Sequence, residues 1–271
     1  MVESFSLEKF ARHPFYQEVN CRLLKLACLR PGLKVVDLGA GTGAVTRLLA
    51  EEVAGPAESE VIAVEPSASA LEMARRNLEN LREVVVRFIQ GRAERLSRLV
   101  RRPVDAVFFC NAIHLVQEKA RVVREVYRTL QQGGEFSFNT AFFQGAEPLE
   151  TQQFYRRWMM RSLRILKERY GLWPMKAEKV QARRHLSPQQ YVALLEERGF
   201  QIRQQEIVRV EMPLEGWEDI SEYSLWIEGI MPGVPLAAAS AALKEGVRET
   251  FVELGLTSSP RNWLLVVASK N

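Results

Sequence analysis

Short apolar runs alternate with helix-period stretches through the first half of this chain, and that alternation limits what it can fold into. "KVVDL" (34–38), "VIAVE" (61–65), "VVVRFI" (84–89), "VDAVFFC" (104–110) and "EFSFNTAF" (135–142) read as strands. Between or before them, 15–29, 44–53, 68–80 and 119–130 carry apolar residues at helical spacing, and Pro31-Gly32 stops the first of these helices. Strands separated by helices predict a parallel sheet covered on both faces. The runs at 34–38, 61–65 and 104–110 are almost continuously apolar, as strands buried on both faces should be.

The alternation breaks after residue 143. The sequence then predicts a helical insertion over 144–186, a return to the sheet as helix and strand over 187–212, a second helical insertion over 213–260, and a last strand within 261–271. Residues 1–143 form the body of the sheet in this reading. Charge marks the first insertion. Residues 151–190 hold ten Lys or Arg and two Glu, a net of +8, whereas the whole chain carries +4. On a helix through 154–170, Tyr155, Met159, Leu163, Leu166 and Tyr170 fall on one face and Arg157, Arg161 and Arg164 on the other. The arginines are expected to stand in water, to pair with acids such as Glu215, Glu218, Asp219 and Glu222, or to meet an anionic substrate group. A nucleic-acid surface is disfavoured, because the net charge is modest and no base-stacking aromatic motif accompanies the arginines.

The stretch "VVDLGAGTGAVT" (35–46) carries the chemistry. Gly39, Gly41 and Ala44 fit G-x-G-x-x-G/A, a turn that brings backbone close to a ligand. Asp37 stands in front of it. A carboxylate there repels a pyrophosphate and favours a ligand presenting a cation. Glu65 closes the next strand, where nucleotide folds place an acid against ribose hydroxyls. An adenosyl ligand with a cationic amino-acid tail satisfies both positions, and S-adenosylmethionine is such a molecule.

Here the sequence resembles the class I, Rossmann-like S-adenosylmethionine-dependent methyltransferases, within them the small-molecule group that includes the ubiquinone-biosynthesis enzymes. "VVDLGAGTG", "VIAVEPSASALEMAR", "QGRAERL", "VDAVFFCNAIHLV" and "VYRTLQQGGEFSF" are similar to that family's successive motifs. The resemblance implies an α/β fold, with a seven-stranded sheet whose last strand is antiparallel and helical cap insertions over the cofactor. It implies that Asp37, Gly39, Ala40 and Gly41 line the methionine part, with Gly43 opening the helix. Glu65 would hold the ribose, Pro66 would lie near the adenine, and Ala93 and Glu94 would face its edge. Asn111 and Ala112 would border the sulfonium, and Tyr16 would touch the methionine end. Arg92 departs from the family, which often has an Asp there for the adenine amino group.

His114, just past the fourth strand, is the candidate general base, set against a structural role. Phe143, Tyr155, Trp158 and Trp226 are candidates for an apolar acceptor pocket. The product of transfer would be S-adenosylhomocysteine, and the partner a small, partly apolar methyl acceptor; whether its O, C or N is methylated is left open. Three scattered histidines argue no metal site, and nothing specifies an oligomeric state. Cys21, Cys28 and Cys110 form no disulfide framework, no signal peptide is apparent and no apolar run is long enough to cross a bilayer, so a cytoplasmic protein is expected. The rival readings are an NAD-dependent oxidoreductase, against which Asp37 counts, and an inactive S-adenosylmethionine-binding regulatory or scaffold protein.

Overall fold

The computed structural model describes residues 5–175 and 185–271. Seven strands, β1 (Lys34–Leu38), β2 (Glu60–Glu65), β3 (Val85–Gln90), β4 (Val104–Cys110), β5 (Leu130–Thr140), β6 (Phe200–Pro213) and β7 (Ser258–Lys270), make one sheet in the order β3-β2-β1-β4-β5-β7-β6. β1 to β5 pair in parallel, and β7 runs antiparallel to β5. The seven-stranded α/β sheet and its antiparallel last strand are as expected. The helices are α1 (Glu8–Ala11), α2 (Pro14–Ala27), α3 (Ala44–Val53), α4 (Ala68–Asn77), α5 (Leu96–Leu99), α6 (Lys119–Thr129), α7 (Gln152–Tyr170), α8 (Pro188–Glu196), α9 (Leu214–Ile220), α10 (Ser224–Ile230) and α11 (Leu236–Leu254).

Val35, Val36, Leu38, the Val61–Val64 run and the Ala106–Phe109 run are all buried. Apolar side chains on both sides of a strand must be covered on both sides, which is why these runs lack polar alternation. β5 begins five residues earlier than the sequence suggests. Leu130 already pairs with Val104, and the register then shifts so that Ala106 faces Glu135. The intervening Gln131–Gly134 therefore lies within the strand as an irregularity, although the glycines read as a stop. The helix over 188–196 starts as its sequence predicts. The Ser187 hydroxyl accepts from Gln190 N–H, Gln190 returns a bond to the Ser187 N–H, and Pro188 occupies the first turn.

The chain divides into two compact units. One, residues 17–144, 185–208 and 263–271, holds β1 to β5, most of β6, the end of β7 and the helices α3 to α6 and α8. The other, residues 5–16, 145–175 and 209–262, holds α1, α7 and α9 to α11. Within this helical unit α7 packs on α11. The buried face of α7 is Phe154, Trp158, Ser162, Ile165 and Leu166, one residue offset from the face expected from hydropathy. Tyr170, expected inward, is exposed. The cause is Gly246 on α11: a Cβ there would lie 2.9 Å from the Ser162 backbone nitrogen. So close an approach needs a small residue on each helix, and a serine adds nothing to a hydropathy count. Trp158 Nε1 also donates to the Leu243 carbonyl at 2.8 Å.

The expected partners of the arginines are corrected by the same packing. Arg157 and Arg161 bond Glu253, Arg161 also bonds Glu249 at 2.6 Å, Arg164 bonds Glu249 at 3.1 Å, and Arg169 bonds Glu245 at 2.5 Å. Glu245, Glu249 and Glu253 recur every four residues on α11, so one stripe of acids meets the basic stripe of α7. Of the acids expected to do this, Glu218 bonds Arg248, Asp219 bonds His13, and Glu222 bonds Lys9 and Lys244. Four of the basic side chains of this helix are thus paired inside its own unit. No described helix is long and apolar enough to cross a membrane.

Candidate active site

The parallel strands β1, β2 and β4 end side by side, and their following turns carry most of the predicted residues. Gly39 has φ 74°, and its N–H donates to the Val64 carbonyl at 2.7 Å, which folds the glycine turn back across the end of β2. A Cβ on Gly39 would lie 3.1 Å from Ala112 Cβ, so the turn after β1 abuts the turn after β4. Gly41, at φ 54°, has open space where a Cβ would stand. Its glycine is required by conformation and leaves the backbone accessible.

Glu65 organises this edge. One carboxylate oxygen accepts the Gly41 N–H and the other the Ser67 N–H, both at 2.9 Å. Each oxygen keeps a further lone pair, so the group can hold the glycine turn and still accept from a diol. Pro66 is exposed beside it, and its carbonyl accepts from Gln90 Nε2. Ala93 and Glu94 lie in a helical turn that follows β3, and the neighbouring Gly91 N–H donates to the Glu65 carbonyl at 3.0 Å. Arg92 is exposed. Gly43 precedes α3 with φ 90°, and Ala40 is buried.

Asp37 is only 1% exposed. Its carboxylate accepts the Thr46 hydroxyl at 2.6 Å, tying β1 to the first turn of α3. Burial raises its pKa from 3.8 to about 7, and the Glu65 charge adds to the rise, while the bonds from Thr46 oppose it. A cation placed beside it would draw the pKa back down.

Asn111 adopts φ 51°, a left-handed conformation that asparagine tolerates better than most residues. Its N–H donates to Asn139, to the side-chain oxygen at 2.9 Å and to the carbonyl at 3.0 Å. Asn139 Nδ2 in turn donates to Asn20 Oδ1 at 2.8 Å, in a fully buried pair. Asn111 Oδ1 accepts the Trp263 indole N–H at 2.8 Å, and its Nδ2 is buried without a partner. An orphaned amide donor costs about 1–3 kcal/mol. Trp263, Asn139, Asn20 and Thr46 were not singled out by sequence reasoning. Asn20 stands on α2, and Asn139 and Trp263 stand on strands whose pairing brings Asn139 opposite Leu265; no local pattern marks them.

His114 lies in the turn after β4. Its Nδ1 is 3.1 Å from the Thr140 hydroxyl, which accepts the Phe142 N–H, and its ring lies 4.1 Å from that of Phe142. The buried Lys119 ammonium donates to the Val116 carbonyl at 2.7 Å and reaches the His114 carbonyl at 3.5 Å, and so fixes this turn. Burial lowers the Lys119 pKa. Phe143 is buried in the same unit.

Tyr16, Tyr155, Trp158 and Trp226 belong to the helical unit. Tyr16 packs edge-on to Phe10. Tyr155, Trp158 and Trp226 join an aromatic cluster with Phe154 and Trp217, and Arg261, itself buried, bonds the Tyr155 hydroxyl at 2.8 Å.

Residues 35–134 match the family model described as a methyltransferase domain. The matched residues run from the start of β1 to the glycine pair in β5, and so include Asp37, the glycine turn, Glu65, Asn111 and His114 but not Asn20, Asn139, Thr140, Phe142 or Trp263. A ubiquinone/menaquinone biosynthesis C-methyltransferase of Legionella pneumophila is 30% identical over 134 residues, covering 46% of this chain and 51% of that protein. An arsenite methyltransferase of Mus musculus is 30% identical over 117 residues, covering 40% of this chain and 31% of that one. The chain thus spans about half the length of the first of these relatives or less. Among solved structures, a methyltransferase-like protein of Bacillus halodurans superposes with a TM-score of 0.59 at 18% identity, covering 93% of this chain and 99% of the other. A cyclopropane synthase of Mycobacterium tuberculosis gives 0.59 at 13% identity, with 99% and 90% covered. At such identities the likeness is one of fold.

Proposed function

We propose that the protein transfers a methyl group from S-adenosylmethionine to a small, partly apolar molecule, releasing S-adenosylhomocysteine. The observation that carries this reading is the pairing of Glu65 and the glycine turn inside a methyltransferase domain. Glu65 would accept the ribose hydroxyls, with Pro66, Ala93 and Glu94 along the adenine. Gly39, Ala40, Gly41 and Gly43 would leave room for the methionine part, and the buried Asp37 charge favours its ammonium. The cofactor supplies an already activated methyl group. The residues then have to hold the acceptor in line and keep water away.

Both the ubiquinone-pathway and the arsenite enzymes are named for small-molecule methylation, which supports an acceptor of that size. His114, held by Thr140 and Phe142, is the proposed base where the acceptor needs one. An NAD-dependent oxidoreductase is not favoured: Asp37 places an acid in front of the glycine turn, where a pyrophosphate would sit. Cys21, Cys28 and Cys110 are free thiols, in keeping with a reducing compartment such as the cytoplasm. Isothermal titration with S-adenosylmethionine, S-adenosylhomocysteine and NAD tests the proposal. Binding of the adenosyl ligands is expected, and tighter binding of NAD than of either would overturn it.

A further inference from the structure

Helix α7 carries five arginines and Lys167, and its packing on α11 uses four of these six cations. Arg157, Arg161, Arg164 and Arg169 pair with the acidic stripe of α11, whereas Arg156 and Lys167 meet no acid among the described residues. These two share a side of the helix with Met160, Leu163 and Tyr170. The five positions recur at steps of three and four residues, so they form one stripe about 21 Å long, opposite the buried Trp158, Ser162 and Ile165. Glu168 lies off the stripe, on the side of Arg164. The helix ends at Gly171, with φ 63°, and Trp173 and Met175 follow. Met160 is 60% exposed, Trp173 63% and Met175 68%, and Tyr170 is exposed as well. Four of the ten most exposed large apolar side chains among the described residues thus lie on this stripe and the turn after it. The backbone that presents them is pinned. Gly171 N–H donates to the Lys167 carbonyl at 3.1 Å, Leu172 N–H to the Leu166 carbonyl at 3.4 Å and Met175 N–H to the Pro232 carbonyl at 2.9 Å.

We infer that this surface docks on an anionic lipid bilayer, with Tyr170, Trp173 and Met175 entering the headgroup boundary and Arg156 and Lys167 meeting lipid phosphates. Tyrosine and tryptophan suit that boundary because each has an apolar body and a polar tip. Methionine adapts to a partner without fixed shape. The two cations that α11 leaves unpaired select a negative surface. Duplex nucleic acid offers phosphates but no apolar layer to receive Met160, Trp173 and Met175. A second copy docking through the same face would set these cations against their own kind, because such a contact pairs like patches. Two cations and a few apolar side chains give shallow, reversible attachment rather than insertion. The inference concerns where the protein sits, and it does not rest on the methyl-transfer reading.

The test is co-sedimentation of the full chain with two kinds of vesicle, phosphatidylcholine alone and phosphatidylcholine with phosphatidylglycerol in equal parts, at low and at high salt. The wild type should bind the anionic vesicles, bind the neutral ones about tenfold more weakly or less, and lose binding as salt rises. Arg156→Gln with Lys167→Gln should weaken binding by about twenty-fivefold, about fivefold for each cation. Trp173→Ser with Met175→Ser should weaken it by about tenfold with every charge in place. Arg101→Gln with Arg102→Gln removes the same charge from two exposed positions in the sheet-bearing unit, and should change binding by less than about twofold. Contact with the acyl layer has its own signal. Lipids brominated on their chains should quench tryptophan emission, and Trp173→Phe should remove that quenching, because the other four tryptophans are buried or half-buried. All the substituted side chains but one keep their charge partners or have none, and all are exposed, so melting temperatures should match the wild type. No preference for anionic vesicles, an equal loss in the Arg101 and Arg102 variant, or no quenching by brominated lipid overturns the inference. So does tighter binding to duplex DNA than to vesicles, lost with Arg156 and Lys167, which would make the partner a nucleic acid. A lipid-free dimer that Trp173→Ser with Met175→Ser dissociates would make it a second copy of the chain, and overturns the inference equally.

Discussion

Asp37→Asn should make the protein less sensitive to pH, and the size of the effect follows from its burial. The carboxyl is 1% exposed, and its pKa rises from 3.8 to about 7, chiefly because burial disfavours the charge. A carboxyl whose folded pKa is raised keeps its proton in the native state while the unfolded chain has released it. The unfolded state therefore binds fewer protons between about pH 4 and pH 7, and stability falls as pH rises through that window, then levels off. A shift of about three units corresponds to roughly 4 kcal/mol across the whole window. Between pH 5 and pH 8 the share is about 3 kcal/mol. Asparagine keeps the shape, can still accept from Thr46 and cannot ionise. Urea unfolding of both proteins at pH 5 and pH 8 gives four free energies. The wild type should lose about 3 kcal/mol more than the variant between the two conditions. Parallel behaviour within about 0.5 kcal/mol, a margin set by extrapolation error, would show that the native carboxyl is already ionised at pH 5. The functional counterpart is proton release. Near pH 6, a ligand that sets an ammonium beside Asp37 should expel its proton. Titrations with S-adenosylmethionine in two buffers of different ionisation enthalpy should then give different apparent heats, and Asp37→Asn should abolish most of that difference.

Glu65→Ala removes the acceptor of the Gly41 and Ser67 N–H groups and should weaken S-adenosylhomocysteine binding by about 1.5–3 kcal/mol, the range for hydrogen bonds to a charged group, read by calorimetry. Gly246→Val puts a side chain where the Ser162 backbone stands, and should lower stability by about 1–3 kcal/mol in thermal unfolding or force α7 from α11; an unchanged melting temperature would contradict the close crossing. His114→Ala should cut single-turnover methyl transfer by roughly 10²–10⁴ at neutral pH if the side chain is the base, with adenosyl affinity kept; a folded variant with the wild-type rate at all pH values leaves proximity as the mechanism.

The sequence by itself determined the sheet and the glycine turn, because both are local. A strand buried on two faces must be apolar throughout, and a turn with positive φ at Gly39 and Gly41 must use glycine there. Glu65 was legible for the same reason, as the last residue of a short strand. Tertiary structure alone decided three things. It chose the partners of Arg157, Arg161 and Arg164, because several acidic stripes were available and only the antiparallel packing of α7 on α11 selects Glu249 and Glu253. It set the buried face of α7, because a small residue on one helix matters only when another, Gly246, meets it. And it gave Asn111 its direction: the indole that fixes the amide lies 152 residues away, on the last strand, and is brought there by antiparallel pairing with β5. A hydrogen bond across that distance leaves no trace in spacing or hydropathy, since neither partner needs a neighbour of any particular kind until the sheet has closed.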